Sequence, residues 1–127
     1  MLSSSVDFRN TLVAHVRSGD IFAGTANAHV GYGQPPLAYY TSAWAESGLH
    51  SLLVVTEGHE SPVVRVLRVL EKTVWPKRVR VEASGADEFK HDLGTLMCAR
   101  HLALSKSSLN MLLLTNPRLR TVYSSMP

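Results

Sequence analysis

The sequence predicts an α/β fold, a parallel β-sheet with helices on both faces, and three observations carry that expectation. Short apolar runs rich in β-branched residues alternate with stretches whose apolar residues recur at helical spacing. Proline, glycine and serine punctuate the boundaries between them, as at Gly48, Ser61-Pro62 and Asn116-Pro117. Finally, 127 residues with 45% hydrophobic content suffice for one domain with a real core, and no internal repeat or interdomain linker is visible.

Met1–Asn10 is polar and reads as a flexible N-terminal arm, leaving residues 11–127 as a single domain. Leu12–Val16 is a buried strand. Ala23–Pro36, 14 residues rich in glycine, alanine and polar side chains, is either a functional lid or a plain connection. A helix opens at Pro36-Leu37, buries Leu37, Tyr40 and Trp44 on one stripe, and ends at Gly48. Ser51–Thr56 is a second buried strand. Ser61 caps and Pro62 begins a helix that runs to about Val74, where Trp75-Pro76 stops it. Arg78–Glu82 alternates with period two, which suits a strand with one wet face and an edge position. Asp87 caps a helix whose apolar face is Phe89, Leu93, Leu96 and Met97 and which ends near Arg100-His101. Leu102–Ser105 is a fourth strand, Leu109–Thr115 a short helix and Arg120–Tyr123 a final strand.

The formal charge of +3 and a pI near 9.3 suit an anionic ligand without indicating nucleic-acid binding. Arg65, Arg68, Lys72, Lys77, Arg78 and Arg80 form the densest basic stretch; with valines and leucines interleaved, it reads as the solvated face of an amphipathic helix, with no aromatic platform for bases beside it. Cys98 is the one cysteine, which excludes an intrachain disulfide; its place in an apolar pattern suggests a buried small residue. No apolar run reaches the roughly 20 residues of a membrane span, and no signal-peptide core precedes the first strand. Glu57-x-His59-Glu60 lacks the partner cluster that a metal site requires, so no metal is expected.

Two blocks carry candidate chemistry. The first is His15-Val16-Arg17-Ser18-Gly19-Asp20, at the carboxyl end of the first strand, where ligands bind open α/β sheets. Arg17 offers a planar fork of donors suited to phosphate oxygens. Asp20 is placed either to hold Arg17 or His15 or to cap the turn. The plain alternative is a polar turn with a surface ion pair. The second block runs from Asp92 to Ser108. Here a helix feeds a strand that ends in Ser105, Ser107 and Ser108 at the start of another helix, which is either an anion-binding arrangement or ordinary N-capping.

The first block resembles the His-x-Arg-x-Gly-Asp motif of fucosyltransferases that use GDP-fucose, most nearly the α-1,2-fucosyltransferase family. The second resembles that family's other motif, Asp-x-x-x-Leu-Met-x-x-Cys/Ala-x-His followed by a serine cluster, and Pro36-Leu37-Ala38-Tyr39-Tyr40 matches the segment that opens its first helix. The resemblance covers about residues 11–125. It implies a Rossmann-like domain corresponding to the donor-binding half of a GT-B-type glycosyltransferase. It also implies that Arg17 holds the diphosphate, His15 lies near the nucleotide, Asp92 binds the guanine edge, and Ser105, Ser107 and Ser108 contact the diphosphate or sugar. An acidic turn after the second strand would make Glu57 and His59 face the same crevice as Arg17; read without the family they are a polar loop. Ser18 stands where a second arginine is common. Leu109 replaces a phenylalanine, and Asn110-Met111-Leu112 replaces Ser-Trp-Trp.

The leading expectation is therefore transfer of fucose from GDP-fucose to a glycan hydroxyl, inverting and metal-independent. Arg17 would stabilise the leaving GDP, and Asp20 or Glu57 would act as base. GDP-fucose enters as donor substrate and no cofactor is expected. The eukaryotic relatives imply the Golgi or secretory pathway, though this sequence shows no signal or membrane segment of its own. The alternatives are a GDP-binding or nucleotide-sugar-binding module without turnover, and a structural α/β domain in which Arg17 and Asp20 pair only with each other.

Overall fold

The computed structural model describes residues 6–16, 36–56, 62–75, 77–83, 89–105 and 110–124. Their elements are β1 (Thr11–Val16), α1 (Leu37–Ser47), β2 (Ser51–Thr56), α2 (Pro62–Thr73), β3 (Val79–Ala83), α3 (Phe89–Met97), β4 (His101–Ala103), α4 (Asn110–Leu113) and β5 (Thr121–Tyr123). All four strand pairings are parallel, in the order β3-β2-β1-β4-β5. This is the expected α/β architecture. The chain first winds outward from β1 to β2 and β3, then crosses back to lay β4 on the other side of β1. In doubly wound sheets ligands bind at such a reversal, outside the carboxyl ends of the strands, here β1 and β4.

Each face of the sheet has its own core. Leu12, Ala14 and Val16 point to one face with Leu52, Val54, Val79 and Val81, where α1 and α2 cover them with Tyr40, Trp44, Val64 and Leu67. Val13, Leu53, Val55 and Leu102 point to the other, under Leu96 and Leu113. Every residue of β1 is therefore buried, the signature of a central strand covered on both sides. Each fully buried leucine or valine contributes about 1.5–3 kcal/mol of transfer free energy.

The boundaries have local causes. Gly48 ends α1 in the left-handed conformation, φ 69°, and its N–H donates to the Ala45 carbonyl. In α2 only Val63, Val64 and Leu67 are buried, while Val66 and Val69 share the outer face with Arg65 and Lys72. The Glu71 carboxylate reaches from α2 to accept the Val81 N–H at 2.8 Å, which satisfies an outward donor of the edge strand β3. Helix α3 stops at Met97, short of the expected Arg100-His101, because Cys98 and Ala99 donate to the Thr95 and Leu96 carbonyls and tighten the last turn. That early stop corrects the expectation for Cys98: its position lies past the helix's buried face, and the thiol is exposed.

Within the N-terminal segment read as an arm, Phe8–Asn10 forms a 3-10 turn capped by Asp7, and Val6 and Phe8 pack against the second core. Asn116, expected as a helix stop, has a further role. Its buried carboxamide donates to the Ala99 carbonyl at 2.8 Å and accepts the Arg118 N–H at 2.9 Å, joining the approaches to β4 and β5.

Candidate functional site at the carboxyl edge

The two sequence blocks meet at the carboxyl ends of β1 and β4. His15 is the penultimate residue of β1, and Ser105 follows β4 by two positions. The pairing of Ala14 with Ala103 sets their register. The His15 Nδ1 and Ser105 Oγ lie 3.0 Å apart, a hydrogen bond between residues 90 positions apart in sequence. His15 is 4% exposed and Ser105 2%, so the pair is sunk into the carboxyl edge of the sheet. With one ring nitrogen engaged, the imidazole plane is fixed.

Two tyrosines brace this edge. The Tyr40 hydroxyl donates to the His15 carbonyl at 3.3 Å, and that of Tyr39 lies 2.7 Å from the Leu104 carbonyl and 2.9 Å from that of Tyr123. Both Tyr39 partners accept and neither donates, so the contacts need the phenol proton. Burial pushes the Tyr39 phenol up to about 12. The pair itself is held edge to face, with ring centroids 4.8 Å apart. The first turn of α1 is thereby tied to the carboxyl ends of β1, β4 and β5.

The Asn110 carboxamide donates to the Ser105 carbonyl at 2.6 Å, and its buried Oδ1 has no hydrogen-bond partner among the described residues. Asp92 lies in the first turn of α3, where a carboxylate favours the positive end of the helix dipole. Only 8% of it is exposed, and it is engaged within the fold. A solvated carboxylate on the helix exterior, the commoner arrangement for such a residue, is not what the structure has. Helix α3 leaves the carboxyl end of β3 to return beside the sheet, so its first turn belongs to the same edge as His15 and Ser105.

Of the residues singled out in sequence, His15, Asp92 and Ser105 are thus placed at one edge, and two of them touch. Arg17, Asp20, Glu57, Ser107 and Ser108 lie outside the described residues. In sequence they continue directly from β1, from β2 and from Ser105. Tyr39 and Asn110 were not recognised as parts of this edge. The Pro-Leu-x-Tyr-Tyr segment was the available signal for the tyrosines. Asn110 gave none, because a sequence does not show which carbonyl a carboxamide reaches. Among the described residues no three His, Cys, Asp or Glu side chains gather as a metal site, and no helix is long and apolar enough to cross a membrane.

A topological switch point with a buried histidine–serine pair beside it defines the class: a Rossmann-like α/β domain. No family model, curated protein or solved structure matches the chain.

Proposed function

We propose that this chain is a nucleotide-sugar-binding domain of the fucosyltransferase type, which takes GDP-fucose at the crevice between β1 and β4 and passes fucose to a glycan hydroxyl. The observation that carries the reading is the His15–Ser105 hydrogen bond. It joins the two blocks on which the family resemblance rests, at the position where a doubly wound sheet binds its ligand. The buried Asp92 at the same edge adds a carboxylate able to accept from the N1–H and N2–H₂ edge of guanine. In this reading the bond between the fucose anomeric carbon and the β-phosphate oxygen breaks as the acceptor oxygen attacks from the opposite side. The acceptor proton goes to Asp20 or Glu57, and Arg17 stabilises the charge that grows on GDP.

Calorimetry with GDP, GDP-fucose and UDP tests it. Saturable binding of the guanine nucleotides over UDP, lost in Arg17→Ala, supports the reading; no GDP binding by the wild type rejects it. A second reading, binding without turnover, is favoured by Met111 and Leu112. They replace the aromatic pair of the family's motif, and Met111 is 80% exposed. Fucose transfer to glycan acceptors separates the two: GDP binding without transfer selects the module.

A further inference from the structure

The opposite edge of the sheet carries a second concave site. A cleft of about 280 Å³ opens at the amino ends of β1 and β2, lined by Asn10, His50, Ser51, Lys77, Arg78 and Arg80 among others. Six residues of β1 separate it from the carboxyl edge, about 17–20 Å at 3.3 Å per residue. A ligand of that volume cannot occupy both.

The charges in this cleft are unequal in their pairing. Arg80 is bound to Glu82 at 2.8 Å, and the one carboxylate lining the cleft, Asp7, accepts the Arg9 N–H at 3.1 Å. Arg78 and Lys77 have no ion-pair partner among the described residues. Arg78 is nevertheless held firmly. Its Nε donates to the His50 carbonyl at 2.9 Å, its guanidinium lies 5.1 Å from the centre of the Trp44 ring, and its own carbonyl accepts the Leu52 N–H at 2.7 Å. The terminal nitrogens of a guanidinium fixed at Nε form a fork set in advance, and such a fork matches the oxygens of a phosphate or sulfate. Lys77 stands beside it at φ 70°, the single non-glycine residue at positive φ among those described. A side chain held in that strained backbone is a recurrent feature of ligand clamps. The ends of α1 and α2 reach the same edge, and cations complement helix C-termini. That explains a positive charge here, but not a cleft or the fixing of Arg78 by three separate contacts.

We propose that this amino-edge cleft binds a small oxyanion, the phosphate or sulfate group of a small ester, with Arg78 as the fork and Lys77 as the second charge. The site is independent of the nucleotide-sugar reading, which concerns the other end of the sheet. Its test is titration of the ¹⁵N-labelled protein with inorganic phosphate and, separately, inorganic sulfate, followed by glucose 6-phosphate and galactose 6-sulfate to distinguish the two esters. The expected result is saturable shifts of the His50, Ser51, Lys77 and Arg78 amides for at least one anion. Affinity falls about tenfold or more in Lys77→Gln and in Arg78→Gln and is unchanged in Arg17→Ala. Lys77 is exposed, so its variant keeps the test valid if Arg78→Gln folds poorly. Absence of saturation, shifts confined to His15 and Ser105, or affinity unchanged in Lys77→Gln would overturn the proposal, whatever GDP does at the carboxyl edge.

Discussion

The two ends of this sheet solve opposite problems with the same residue types. At the carboxyl edge, polar side chains are sunk into the fold and bonded to one another: His15 to Ser105, Tyr39 to two strand carbonyls, Asn110 to the Ser105 carbonyl. At the amino edge between β1 and β3, the polar side chains are mostly exposed, and the two unpaired cations face a cleft. A buried polar group without its partner costs about 1–3 kcal/mol, so the first arrangement is rigid by necessity. An exposed arginine stays hydrated, so the second costs little and adds little to stability. Polar groups at the carboxyl edge hold the fold in shape, whereas those at the amino edge are available to touch a solute.

The largest effect expected from this contrast falls on the histidine–serine pair. Ser105→Ala removes the Ser105 hydroxyl from the buried His15 Nδ1, and urea unfolding is expected to lose about 1–3 kcal/mol. A loss below about 0.5 kcal/mol would mean that water reaches the ring and the crevice floor is open. Tyr39→Phe is expected to cost less, about 0.5–1.5 kcal/mol, because the phenol is only half-buried and water can replace it on the Leu104 and Tyr123 carbonyls.

The same phenol sets an alkaline limit. A tyrosine in the unfolded chain ionises near 10, whereas Tyr39 in the fold does so at about 12, so between those values the native state keeps a proton that the unfolded state has lost. Tyr39 therefore contributes a stability that is fully present below pH 10 and lost as pH rises through about 12. Denaturant midpoints measured across this window should fall with pH in the wild type, and less steeply in Tyr39→Phe.

At the amino edge the effects shrink and one changes sign. Arg78→Gln removes the contact over Trp44 and the bond to the His50 carbonyl, worth about 1 kcal/mol at an exposed site. Lys77→Gly releases the left-handed backbone strain and is expected to stabilise the fold slightly, by up to about 1 kcal/mol. A destabilising Lys77→Gly would show that the lysine side chain supports the fold, and would remove the contrast between the two edges.

The sequence made much of this legible. Hydrophobic period and proline–serine punctuation located the strands and α-helices of the described residues, because a doubly wound sheet repeats one simple pattern of buried strand and amphipathic helix. Helix ends were read less well. Nothing local announces that Cys98 and Ala99 close α3 with tightened bonds, so the helix was carried three residues too far and the thiol was placed inside. The strand order was not legible at all, since β4 pairs with β1 through contacts remote in sequence. At the candidate site, His15 and Ser105 were found through motif spacing, but their hydrogen bond depends on that same crossover. The amino-edge cleft was missed for a similar reason. Lys77, Arg78 and Arg80 read as part of a basic stretch and an edge strand, and only the fold brings His50 and Asn10 against them.

The central claim is that the carboxyl-edge crevice, floored by His15 and Ser105, is the nucleotide site. Titrating the ¹⁵N-labelled protein with GDP tests it most directly. The account predicts saturable shifts at the amides of His15, Val16, Leu104 and Ser105, with His50 and Arg78 unmoved. Failure of GDP to saturate, or shifts gathered at the amino edge instead, would contradict it.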